Sequence, residues 1–206
     1  SIQFENSKKE NQQFFEQLKQ LRYLENLSLE MFYNQQILDS LSDFIRNNQS
    51  LKNLQLVKIV QFNQYNLDIK QICEAIQNHK NIIQVIFSFK NEQNEIVQKE
   101  NESIWQNEKI QKFYAPIANC IQNCQNSLNV VELYEDKINE EGISLILKQV
   151  ENNDKTMYLR FKSCLNNQVN QCSEVFQQQY YQCCLKGKII KTYFYMPNCI
   201  YSIYKS

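Results

Sequence analysis

Two glycines, two prolines and one histidine in 206 residues narrow the chemistry open to this chain. A phosphate-cradling loop or a dinucleotide fingerprint needs glycines a few residues apart, and Gly142 and Gly187 are too distant from each other to form either. His79 alone must serve any Ser/His/Asp or Cys/His arrangement. It stands in a turn between Asn78 and Lys80, the setting of a satisfied surface histidine. Charge of a prevailing sign is also missing, since 22 basic and 22 acidic residues cancel and are interspersed. Without a basic stripe the chain lacks the electrostatic footprint of a nucleic-acid binder. No apolar run is long enough to span a bilayer, and residues 1–20 lack the apolar core of a signal peptide. Ser1 fits either removal of an initiator Met or a fragment of something longer. These absences point to an intracellular protein, cytoplasmic or ciliary, that is not an enzyme and takes no cofactor, metal or nucleic acid.

Eight cysteines are present, but their spacing carries no metal signature. Cys120-x3-Cys124 and the adjacent Cys183-Cys184 do not match the paired spacings of zinc modules. Cys73, Cys120, Cys164 and Cys172 fall where a core accepts a small apolar side chain, so they read as buried free thiols. Asn and Gln make up roughly a quarter of the chain. Leu, Ile, Val and Phe are nevertheless spread through almost every segment, which a disordered chain would not sustain. The amides read as solvated filler, in a usage that resembles that of ciliate proteins.

What is present is a recurring phrase. Leu24-x-x-Leu27-x-Leu29, Leu51-x-x-Leu54-x-Leu56 and Leu128-x-x-Val131-x-Leu133 repeat one apolar pattern, and Ile82-x-x-Val85-x-Phe87 matches it. A fifth copy, Thr156-x-x-Leu159-x-Phe161, has a polar first position. Ten residues upstream of each first position stand Phe14, Leu41, Ile72, Ala118 and Ile146; six upstream stand Leu18, Ile45, Ile76, Gln122 and Val150. Leu38, Ile69 and Ile143 occupy the position thirteen upstream. Spacings of three and four make one face of a helix, so each unit predicts a helix with one apolar stripe followed by a short strand. Asn47, Asn78 and Asn152 recur at the end of that helix, where Asn suits a left-handed turn, and Asn123 sits one residue off register. Pro116 fits the first turn of the fourth helix, where its missing N–H costs nothing. Self-similarity at such a period marks stacked repeats, because one unit cannot bury its stripe alone.

Residues 130–161, VVELYEDKINEEGISLILKQVENNDKTMYLRF, resemble a leucine-rich repeat of the ribonuclease-inhibitor-like type. Asp136 and Cys164 occupy the family's ladder position; Phe32, Ile59 and Lys90 occupy it in the other repeats and depart from the pattern. The resemblance implies an α/β horseshoe solenoid over 1–206, with short parallel strands on the concave face and helices on the convex face. It implies about six to seven irregular repeats. Intervals of 27, 31, 46 and 28 residues are uneven where the family keeps nearly constant length. The longest contains a polar insertion at 91–109 that holds Trp105. Ile2-x-Phe4 supplies a preceding strand, and Ile190-x-x-Tyr193-x-Tyr195 supplies one more within an aromatic C-terminal cap at 189–206.

Residues between the apolar strand positions face away from the core. The partner-binding surface expected from this is Asn53, Gln55, Gln84, Ile86, Glu132, Tyr134, Tyr158, Arg160 and Lys162, with its hot spot around Tyr134, Tyr158 and Arg160. The function expected is a protein-interaction scaffold, a subunit of a larger hetero-complex. The alternative is a regulatory adaptor, such as a ubiquitin-ligase recognition module or a small-GTPase regulator.

Overall fold

The computed structural model describes residues 2–3, 8–18, 20–30, 33–57, 68–89, 107, 109–124, 127–135, 139–153, 157–163, 178–179 and 182–183. Strands and helices alternate: β1 (Ile2–Gln3), α1 (Lys8–Leu18), β2 (Asn26–Glu30), α2 (Gln35–Asn47), β3 (Asn53–Val57), α3 (Lys70–Asn78), β4 (Gln84–Phe89), α4 (Ala115–Asn123), β5 (Val130–Glu135), α5 (Glu140–Asn152) and β6 (Tyr158–Ser163). The strands form one parallel sheet in the order of the sequence, each hydrogen-bonded to the next, so that β2 to β5 are paired on both sides. The insertion 91–109 apart from Asn107 and Lys109, the cap 189–206, and the ladder positions Phe32, Ile59, Lys90, Asp136 and Cys164 lie outside the described residues.

The register follows the recurring phrase. Leu27 lies opposite Leu54, Leu54 opposite Val85, Val85 opposite Val131, and Val131 opposite Leu159. Ile2 lies opposite Leu29. These strand positions join the helix stripes in one core, in which Leu38, Leu41, Ile45, Leu54, Leu56, Ile69, Ile72, Ile146 and Val150 are fully buried. Each such side chain contributes roughly 1.5–3 kcal/mol by leaving water, and only stacking between units makes that burial available.

Local chemistry sets the helix boundaries. Asn34 Oδ1 accepts the Ile37 N–H at 2.9 Å, and Asn139 Oδ1 accepts the Gly142 N–H at 2.8 Å, so each satisfies an orphan donor at a helix start. Glu140 and Glu141 place negative charge in the first turn of α5. The recurring Asn residues work differently from the sequence reading. Asn47, Asn78 and Asn152 are the last helical residues, and the caps after them are extended, with φ of −96°, −85° and −86°, so no left-handed turn is needed. Asn47 Nδ2 donates to the Asp43 carbonyl, Asn78 Nδ2 to Glu74 and Asn123 Nδ2 to Asn119, each one helical turn back.

The polar side chains that tie unit to unit come one residue later. Asn48 Nδ2 donates to the Leu21 carbonyl at 3.0 Å, His79 Nε2 bonds the Asn48 carbonyl, and Asn153 Nδ2 donates to the Ile121 carbonyl at 2.6 Å. His79 is therefore 2% exposed and not a surface residue. Its Nδ1 accepts the Asn81 N–H at 3.2 Å, which makes Nε2 the protonated nitrogen and the ring a neutral bridge between two turns.

The fourth helical segment also departs from expectation. Pro116 lies in the first turn of α4 as expected, but a π-helical turn, Ile110–Tyr114, runs directly into that helix. The missing proline N–H frees the Lys112 carbonyl, which accepts the Ile69 N–H at 3.3 Å and so ties the start of α3 to this turn. In this unit α4 ends one residue further from its strand than α2, α3 and α5 do from theirs. The stripe is rotated to match: Ile121 is buried and Gln122, its expected occupant, is exposed. In α1 the shift runs the other way and at the upstream position only: Phe15 is buried, Phe14 is half-buried beside it, their rings edge-to-face at 5.2 Å, and Leu18 is buried as expected.

Candidate interaction surface

Alternation along each strand sends Leu27, Leu29, Leu54, Leu56, Val85, Phe87, Val131, Leu133 and Leu159 into the core and the intervening residues to the opposite face. Parallel pairing then lines those residues up in three rows. The first is Asn26, Asn53, Gln84, Val130 and Tyr158; the second is Ser28, Gln55, Ile86, Glu132 and Arg160; the third is Glu30, Val57, Ser88, Tyr134 and Lys162. All the residues expected at a partner surface stand on this one face. Lys162 does so by its register position, its side chain lying outside the described ones. The face divides into two chemically different halves.

The half on β4–β6 is a polar cluster built around Glu132. Its Oε1 accepts from Gln84 Nε2 at 3.1 Å; its Oε2 accepts from the Tyr134 hydroxyl at 2.5 Å and from Arg160 Nη1 at 3.3 Å. Glu132 was expected to be exposed, but it is 6% exposed because these three neighbours, from three adjacent strands, close over it. The ion pair with Arg160 compensates the charge that this burial would otherwise strand. Burial raises the Tyr134 phenol above its ordinary range, reinforced by its hydrogen bond to Glu132 and that residue's charge. Burial works against the Arg160 charge, but the Tyr134 oxygen and the Glu132 carboxylate outweigh it and hold the guanidinium pKa above its usual value. Tyr134, Tyr158 and Arg160 all remain half-buried, so each presents part of its surface outward from a fixed position.

The half on β2–β4 is mostly amides and hydroxyls, with Ile86 and Val57 among them and Glu30 at the end of β2. Asn53 Nδ2 donates to Asn26 Oδ1 at 2.5 Å, linking the first row across two strands. A cavity of about 550 Å³ at this end of the sheet is lined by residues of both its faces, Asn26, Ser28, Asn53, Gln55, Gln84 and Ile86 from the outer one and Leu27, Leu29 and Leu54 from the core-facing one, together with Phe14, Leu18, Leu21 and Leu24. Leu21 is 51% exposed at its rim, and Tyr23 on the same turn is 89% exposed. Sequence reasoning used Phe14 and Leu18 only as a helix stripe and did not single out Leu21. The one signal was a leucine just outside the strand phrase, with no periodicity to assign it. Among the described residues no group of three or more His, Cys, Asp or Glu is placed to hold a metal ion. No described helix is long and apolar enough to cross a membrane.

No family model matches the chain. It is 28% identical over 193 residues to Telomerase component p95 of Tetrahymena thermophila, an alignment that covers 93% of this chain and 22% of that protein. The chain thus spans about a fifth of the length of that relative. Among solved structures, Leiomodin-1 Actin-Binding Site 2 (ABS2) aligns over 94% of this chain and 83% of that one, with 13% identity and a TM-score of 0.38.

Proposed function

We propose that the chain is a leucine-rich-repeat solenoid of the ribonuclease-inhibitor-like type, a non-catalytic scaffold that holds a protein partner on its strand face within a larger assembly. The observation that carries this reading is the open face itself, where polar side chains stand in rows on rigid neighbouring strands and are pre-ordered by hydrogen bonds to one another. Tyr and Arg held this way offer contact area at little further cost in side-chain entropy. The reading takes Tyr134, Tyr158 and Arg160 as the anchor of the interface. Similarity to a protein named as a telomerase component supports membership of a complex. It also favours a nuclear assembly over the cytoplasmic or ciliary one expected from sequence.

Gradient sedimentation of the native protein tests this. A scaffold migrates with a high-mass species at fixed stoichiometry, and Tyr158→Ala with Arg160→Ala releases it to the top of the gradient. Migration of the native chain only as a small free species would sink the scaffold reading and favour a reversible adaptor.

A further inference from the structure

We propose that Glu132 is the positioning residue of the strand-face anchor: it holds Tyr134 and Arg160 in the arrangement a partner meets and touches no partner itself. This rests on reading the strand face as a partner surface, and it takes Glu132 out of the contact residues expected from sequence.

Parallel register sets Glu132 between Ile86 on β4 and Arg160 on β6. Ile86 offers no side-chain hydrogen bond, and Oε1 turns instead to Gln84 Nε2 at 3.1 Å. Oε2 takes the Tyr134 hydroxyl and Arg160 Nη1 together, so both anchor side chains meet at one oxygen. A carboxylate suits this junction because it only accepts, whereas a glutamine would turn N–H donors towards donors. The Glu132 side chain is 8% exposed and that of Arg160 36%, so a docking surface reaches the guanidinium and not the carboxylate. Packing alone would not call for a charge at this position. An apolar residue of similar volume avoids the desolvation cost of a carboxylate, and the charge is accounted for by what it holds. An arginine with a free side chain gives up that freedom when a partner binds, and one already bonded to a carboxylate gives up less.

Glu132→Gln tests the role, because it keeps the volume and alters the acceptor. In the isolated full chain, NMR relaxation of the Arg160 guanidinium should report a looser side chain. The Tyr134 phenol, raised by burial and further by the Glu132 hydrogen bond and charge, should titrate at lower pH than in the wild type. In gradient sedimentation of the native assembly, Glu132→Gln should be released at about tenfold less dilution than the wild type. Added to Arg160→Ala, it should release no more than Arg160→Ala alone. Should the Gln variant fail to fold, Glu132→Met, apolar and of similar volume, makes the same comparisons. A folded variant with Arg160 as ordered, or the assembly as resistant to dilution, as in the wild type overturns the proposal. Release that adds to that of Arg160→Ala also overturns it, since Glu132 would then make a contact of its own. Retention of the chain carrying both Tyr158→Ala and Arg160→Ala overturns instead the reading of the face on which this role rests.

Discussion

At Gly142 a single missing methyl group decides whether two helices can meet. A Cβ built there would lie 2.5 Å from the ring of Tyr114, a side chain with no exposed surface. Helix propensity alone would favour alanine by up to about 1 kcal/mol at this position of α5. Overpacking against a rigid ring wins, and Gly142→Ala is expected to lower stability by about 1–3 kcal/mol, read from the urea midpoint. Tyr33 gives the residue scale its pH dependence. Its hydroxyl donates to the Leu29 carbonyl at 3.0 Å, and burial raises its pKa well above the ordinary value near 10. A phenol whose folded pKa exceeds its unfolded one stabilises fully below the unfolded value and loses that contribution as pH rises above it. The urea midpoint should therefore fall as pH rises above about 10. Tyr33→Phe should cost about 0.5–1.5 kcal/mol at neutral pH and make the alkaline fall shallower. His79 shows why such residues escape a one-dimensional reading. Its neighbours Asn78 and Lys80 are indeed exposed, and the carbonyl its Nε2 meets belongs to Asn48, a full unit earlier.

Among elements, the strands were the easiest to foresee and the fourth helix the hardest. A period of two fixes which strand residues share a face, and repetition of the phrase fixes the register, so the rows of the sheet follow directly from spacing. Helix phase depends in addition on the length of the turn that follows, and one extra residue after α4 moved Ile121 into the place expected for Gln122. The π-turn has no periodic signature, and its consequence, a Lys112 carbonyl offered to Ile69, requires two elements at once. Pro116→Ala should restore a competing donor to that carbonyl. Hydrogen exchange of the Ile69 amide is expected to accelerate, with the α2 amides unchanged as the internal control. Leu41, fully buried on α2, should cost about 2–5 kcal/mol when cut to Ala. Leu41→Asp should abolish cooperative unfolding; survival of a sharp transition would refute the assigned helix face. The cavity was invisible for a different reason: both faces of the sheet, α1 and the aperiodic turn after it all contribute to its lining.

Over the whole molecule, the core runs without a break from α1 to β6, and cysteines report on it. Cys73 and Cys120 are buried and unpaired, and burial pushes both thiols above their ordinary pKa. A thiol reagent should reach them at the rate of unfolding and no faster, so added urea and not moderate pH should govern their labelling. Among the described residues the helical residues Gln179 and Cys183 pack onto α5, with Gln179 Nε2 donating to the Ser144 carbonyl at 3.0 Å and Cys183 Sγ 3.5 Å from the Leu147 carbonyl. Side chains of a further segment thus rest on α5 as those of α5 rest on α4.

Pairing in sequence order has a mechanical consequence. Tension applied at β1 and β6 runs along a series of links, since each strand is bonded only to its neighbours in the sheet. Pulled between its ends, such a chain should lengthen in small successive steps at low force, each step releasing one strand and its helix. An assembly threaded by such a link would yield gradually under load and re-form when slack returns.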